Sequence, residues 1–196
     1  MLNIPVTNLD SKEELYFYQW LEELRLKGLC RYTYQPRTFL LFTGSKYKMK
    51  FKKGSIIPRD VNYTPDFSIL WDEKLRNIIF SVPGTADIKT EFVAVQKGDQ
   101  YVSVVDVKGG FSGGRNNSSA ITFPLKQKWM LQIYNLYVQK IIPITNKKVK
   151  KVATANGVFV ETFTPAAHLL TPTGKPRKFN YEPKMINKYL EENGIN

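Results

Sequence analysis

Tyr101-Val102-Ser103-Val104-Val105-Asp106-Val107-Lys108-Gly109-Gly110 decides how this chain is read. The nearly unbroken apolar run predicts a strand over 101–107 buried on both faces. A glycine pair ends it, just after Asp106 and Lys108. A second stretch, Tyr63-Thr64-Pro65-Asp66-Phe67-Ser68-Ile69-Leu70, predicts another strand, with Trp71-Asp72-Glu73-Lys74 as its turn. Asp66 and Asp106 lie 40 residues apart, so an antiparallel arrangement is needed to bring them together. Two carboxylates and a lysine on adjacent strands can hold a divalent metal against a phosphodiester and position an attacking water.

Upstream, residues 10–27 predict a helix. Asp10 or Ser11 can cap it, Glu13 and Glu14 suit the positive end of its dipole, and Gly28 stops it. Leu15, Tyr18, Leu21, Leu24 and Arg25 follow a spacing of three or four. Cys30 is expected near the end of this helix. Arg31–Pro36 then leads into a strand over 38–42, and Gly44-Ser45 turns the chain. Lys46-Tyr47-Lys48-Met49-Lys50-Phe51-Lys52-Lys53 alternates strictly, which predicts a strand with lysines on one face. That row reads equally as a track for a phosphate backbone or as an edge protected from aggregation.

Between 78 and 95, short apolar runs broken by Pro83-Gly84 read as an inserted hairpin or loop. A Gly-, Asn- and Ser-rich loop at 112–119, including Arg115, precedes a helix over 125–139 that carries Trp129, Met130, Leu131, Ile133, Tyr134, Leu136 and Tyr137. Ile141–Ile144 predicts a closing strand. Beyond it come a basic run (Lys147, Lys148, Lys150, Lys151), a hairpin at 151–163, a Pro-rich linker at 165–176 and a helix near 183–193.

Composition narrows the partners. The 196 residues carry 29 Lys and Arg against 17 Asp and Glu, a net charge of +12 that favours a polyanionic partner. One cysteine permits no intrachain disulfide, and one histidine, His168, permits no multi-histidine metal site within the chain. No apolar stretch is long enough to span a membrane, and Met1–Pro5 lacks the features of a secretory signal. A soluble, cytoplasmic protein is expected.

The order of these elements (helix with a glutamate, strands, Pro-Asp, strand ending Asp-x-Lys, helix) resembles the PD-(D/E)xK nuclease superfamily. Tyr-x-Pro-Asp-Phe at 63–67 and Val-Asp-Val-Lys-Gly at 105–109 are similar to phage-encoded endonucleases, Holliday-junction resolvases and the nuclease subunit of certain transposases. The resemblance covers residues 10–142. It implies that Asp66 and Asp106 are metal ligands, joined by the Val107 carbonyl. It implies that Lys108 orients the attacking water and that Glu14 completes the metal shell. Asp106 stands where glutamate is commoner, and the interval from Asp66 is long for the family. A rival triplet, Asp87-Ile88-Lys89, follows Pro83–Ala86, which cannot build a buried strand.

The expectation is therefore an α/β, restriction-endonuclease-like core over 1–145: a helix, a mixed sheet of three to five strands, and a second helix. A basic extension follows over 146–196. The implied activity is Mg²⁺- or Mn²⁺-dependent cleavage of DNA, branched DNA above all, by a homodimer in a phage context. DNA contacts are expected from Lys46, Lys48, Lys50, Lys52, Arg115, Lys126, Lys128, Lys147, Lys148, Lys150 and Lys151, with Gln127 as a further candidate. The alternative is a non-catalytic DNA-binding or virion structural module on the same fold.

Overall fold

Along the chain run α1 (Lys12–Leu26), β1 (Cys30–Tyr34), β2 (Phe39–Phe42), β3 (Val61–Tyr63), β4 (Phe67–Trp71), β5 (Phe80–Ser81), β6 (Phe92–Val93), β7 (Val95–Lys97), β8 (Gln100–Val107), α2 (Ser118–Tyr134), β9 (Val138–Ile141) and α3 (Ile186–Glu192). The computed structural model describes residues 9–44, 59–84, 90–108, 118–143, 163–179 and 181–195. Lys46–Lys53, Asp87–Lys89, Arg115 and Lys147–Lys151 lie outside the described residues, as does nearly all of the expected hairpin at 151–163.

The apolar run of β8 is the centre of a five-stranded mixed sheet, ordered β1-β4-β8 with β7 and β9 along the far side of β8. β4 and β8 are antiparallel, in the register Phe67↔Val105 to Trp71↔Tyr101. β7 pairs antiparallel with the start of β8, and β9 pairs parallel with its end.

Alternation of side chains gives this sheet two different faces. Phe67, Ile69 and Trp71 of β4, Val105 and Val107 of β8 and Ile141 of β9 share one core with Phe17, Trp20, Leu21 and Leu24 of α1. Trp20 stacks on Phe92 with ring centroids 5.4 Å apart, and on Phe163 from the far end of the chain at 5.9 Å. On the other face, Val104 and Val138 meet Phe123 and Met130 of α2, together with Phe39, Leu41 and Tyr63 from the β2–β3 ladder. Even-numbered residues of β8 and β9 thus point toward α2, and odd-numbered ones toward α1.

Several expectations need correcting. Arg31–Tyr34 is not a lead-in but part of β1, and Cys30 begins that strand, buried. The single strand expected over 63–70 is two, because Pro65 has no N–H to give a ladder and the chain breaks at 64–66. Among the described residues of 78–95, β5 and β6 pair in parallel and are not the two arms of a hairpin. The second helix starts at Ser118, runs through Pro124 and ends at Tyr134, where Asn135 takes a left-handed conformation (φ 50°). Val138–Lys140 consequently belongs to the closing strand, which ends at Ile141.

Candidate carboxylate–lysine site

The break at Pro65 leaves Asp66 as the last residue before β4. Carried one step beyond Phe67↔Val105, the antiparallel register sets Asp66 against Asp106, both on the α2 side of the sheet. Lys108, two residues on, shares that side. Its ammonium lies 3.0 Å from Asp106 Oδ1 and 3.7 Å from Asp66 Oδ2. Asp66 Oδ2 also accepts the Val107 N–H at 2.7 Å, and the Lys108 N–H donates to the Ile141 carbonyl at 2.8 Å. The sheet itself thus fixes the spacing of the three charges.

Like charges facing each other across two strands are unfavourable. Burial, followed by the nearby Asp106 charge, pushes the Asp66 carboxyl up to about 8 even though Lys108 opposes the rise. Burial disfavours the charged form of Lys108, but Asp106 and Asp66 outweigh it and raise its pKa. Asp106 is almost wholly buried, whereas the Lys108 side chain keeps 33% of its exposure. The site therefore opens to solvent on the lysine side.

Glu14 approaches from the other layer. Ser11 caps α1 by accepting the Glu14 N–H at 3.1 Å, and its hydroxyl donates back to Glu14 Oε1 at 3.0 Å. Glu14 Oε2 accepts the Asp10 N–H at 3.1 Å and the Tyr34 hydroxyl at 2.7 Å. This is a variant of the capping box, with the backbone bond moved one residue outward. Gln35, at φ 44°, donates its N–H to the Asp66 carbonyl at 2.7 Å and its amide to Asp10 and Tyr34 at 3.0 and 3.1 Å. Glu14 is thus tied to the backbone of Asp66, and its charge is a minor contributor to the Asp66 rise. Among the described residues, however, no group of three His, Cys, Asp or Glu side chains is placed to hold a metal ion.

Lys140 joins the site without any motif to announce it, and Tyr63 joins it from the 63–67 motif in a role that motif does not assign. Lys140 of β9 pairs with Asp106 in the parallel register, on the same face. Burial pulls its pKa down to about 8, against the pull of Asp106 and helped by Lys108, and its ammonium stands 6.0 Å from the Phe123 ring centroid. Tyr63, at the end of β3, turns its hydroxyl toward Asp106 and Asp66, whose charges add to burial in raising its pKa. Alternation along β9 is the signal that could have found Lys140, once the strand is placed at 138–141. Lys126 also arrives, with its ammonium 5.4 Å from the Tyr63 ring centroid. Lys128 is exposed on α2, and Gln127 is committed to the fold, donating to the Val138 carbonyl at 2.6 Å. His168 packs edge-on against Tyr16 at 4.8 Å.

The donor chemistry fits a hard divalent cation. Asp66 and Asp106 are acceptor-only when ionised, and their mutual repulsion is what such an ion relieves. Compared with protein-family models, curated proteins and solved structures, the chain matches none of them.

Proposed function

We propose that this chain is a divalent-metal-dependent DNA endonuclease of the PD-(D/E)xK type, acting on branched DNA as a homodimer. One observation carries the reading: Asp66, Asp106 and Lys108 meet at the ends of two neighbouring strands, with the lysine within 4 Å of both carboxylates. Asp66 and Asp106 would hold Mg²⁺ or Mn²⁺, with Glu14 behind them. When bound, such an ion supplies charge that polarises a phosphoryl oxygen and acidifies water. Lys108, the solvent-facing member, presents rotatable N–H donors to negative charge developing on the phosphate. The net charge of +12 attracts the DNA, and Lys126 adds a cation next to the site. The apolar side chains Leu125, Leu131 and Ile133, all exposed on α2, suit a homodimer contact. Among the described residues no helix is long and apolar enough to cross a membrane.

One observation favours the second reading, a non-catalytic DNA-binding or virion structural module. Lys108 already bridges both carboxylates, so the cluster is partly neutralised by the chain's own cation. Cleavage of a synthetic four-way junction beside linear duplex, in Mg²⁺, Mn²⁺ or EDTA, separates the two readings. Metal-dependent cutting is expected, and Asp106→Asn should lower it by at least about 100-fold, in keeping with the loss of several kcal/mol of charge stabilisation. Junction preference over duplex supports the resolvase-like substrate. Binding without cutting in every metal would establish the structural module instead.

A further inference from the structure

The segment that composition marks as a Pro-rich linker is built as an arm. Leu170 and Pro176 bridge antiparallel, the Arg177 N–H donates to the Leu169 carbonyl at 2.8 Å, and the Thr171 N–H donates to the Lys175 carbonyl at 2.8 Å. Pro172 and Gly174 turn the chain between these strands. The Gly174 N–H donates to the Thr171 carbonyl at 2.8 Å, and Gly174 is left-handed at φ 77°. Rings fix the base: His168 packs against Tyr16 of α1 at 4.8 Å and against Phe179 at 6.3 Å. Tyr16 stands two residues past Glu14, at the end of α1 that Glu14 and Tyr34 tie to the strand end beside Asp66. Beyond that base, residues 172–178 are all exposed, and the arm's hydrogen bonds among the described residues are internal. Residues 169–178 add no side chain to either core, so packing does not explain them.

The chemistry of the arm is cationic. Lys175, Arg177 and Lys178 follow one another closely, and no acidic residue occurs between Glu161 and Glu182. None of these cations forms an ion pair among the described residues. Arg177 donates its Nε–H to the Leu170 carbonyl at 2.9 Å, which orients the guanidinium and leaves its terminal N–H groups for an external acceptor. A protein-binding surface would centre on aromatic anchors, and 169–178 carries none. We propose that the 169–178 arm is a second DNA-contacting surface, outside the carboxylate–lysine site, that grips the phosphate backbone of duplex DNA through Arg177 with Lys175 and Lys178 beside it. Such contacts add affinity and set orientation without reading sequence. The inference rests on the DNA-binding part of the proposed function and not on cleavage.

Lys175→Gln combined with Lys178→Gln removes two exposed charges from the arm, and Lys27→Gln combined with Lys97→Gln removes the same charge from exposed positions elsewhere. Gly174→Val keeps every charge but strains the left-handed turn. The probe is fluorescent linear duplex DNA, titrated in EDTA over a range of salt so that binding is read without metal or cleavage, alongside thermal melting. The arm double variant should bind about tenfold more weakly near 0.1 M salt, and its salt slope should fall by about 1.8, as for two lost phosphate contacts. Its melting temperature should not change. Gly174→Val should also bind more weakly, and the Lys27 and Lys97 control should stay within about twofold of the wild type. Wild-type affinity in either arm variant, or an equal loss in the control, overturns the arm as a DNA contact. Weakened binding by the arm variants of a protein that cuts no DNA in any metal would keep the arm and discard the nuclease. A wild type that binds no duplex would discard the arm and the DNA reading together.

Discussion

Asp66 is held where burial, joined by the Asp106 charge set against it across the strands, keeps its carboxyl protonated at neutral pH. Its folded-state value of about 8 stands above the ordinary aspartate value of about 3.9 in the unfolded chain. Between those values the folded state keeps a proton that the unfolded state has lost, so stability falls as pH rises and levels off above about 8. Each pKa unit retained corresponds to about 1.4 kcal/mol, or roughly 3–6 °C in melting temperature for a chain of this size. Melting curves from pH 5 to 9 should therefore decline for the wild type and flatten for Asp66→Asn, which copies the protonated shape. Mg²⁺ or Mn²⁺ should raise the melting temperature at pH 8.5 more than at pH 5.5, because the ion binds the ionised pair. Identical profiles for wild type and variant would show that Asp66 ionises normally.

At the scale of the element, α1 joins the aromatic core to the charged end of the sheet. Its N-terminal turn is closed by Ser11 and Glu14, and Glu14 is tied through Tyr34 to the strand end beside Asp66. Glu14→Ala should lose about 1–2 kcal/mol by chemical denaturation, in the range of a lost helix cap with its added bonds. Glu14→Gln keeps an acceptor for Ser11 and Tyr34 and should lose less. If Glu14 also serves the metal, Glu14→Gln should lower metal-dependent cleavage well beyond its effect on stability; equal stability and activity would confine the residue to capping. The helix was legible in the sequence because its start and stop are local: Ser11, two acidic residues, then Gly28 at φ 74°. The same locality hid Phe17 and Trp20, whose burial depends on how many neighbours converge on α1. Asp66, Asp106 and Lys108 were legible because a short motif sits on an apolar strand. α2 was displaced because Pro124 looks like a helix start and Asn135, a left-handed stop, carries a weaker signal than glycine. Tyr63 and Lys140 reach the site through the β2–β3 ladder and the parallel pairing of β9, long-range contacts that become legible only once those strands are placed.

In the whole molecule, the last part of the chain packs into the core that α1 shares with one face of the sheet. Phe163 lies flat on Trp20, the Ala166 N–H donates to Glu23 at 2.6 Å, and Ile186 and Leu190 of α3 enter the same core as Phe17 and Leu21. Lys184 adds its ammonium over the Phe163 and Tyr189 rings at 4.5 and 4.6 Å. Because α3 has only seven residues, it is too short to persist by its own helix propensity, and the packing of Ile186 and Leu190 must hold it in place. Removing the Leu190 side chain leaves a cavity in this seam, and Leu190→Ala should cost about 2–4 kcal/mol, a fall of roughly 5–15 °C in melting temperature. Asp66, Asp106 and Lys108 stand on the opposite face of that sheet, toward α2. Leu190→Ala should therefore bind DNA as the wild type does, at any temperature where it remains folded. Melting and junction binding on the same preparation check both halves: an unchanged melting temperature would mean that α3 does not hold the core, and weakened binding in the folded variant would mean that the α3 seam and the site are energetically coupled.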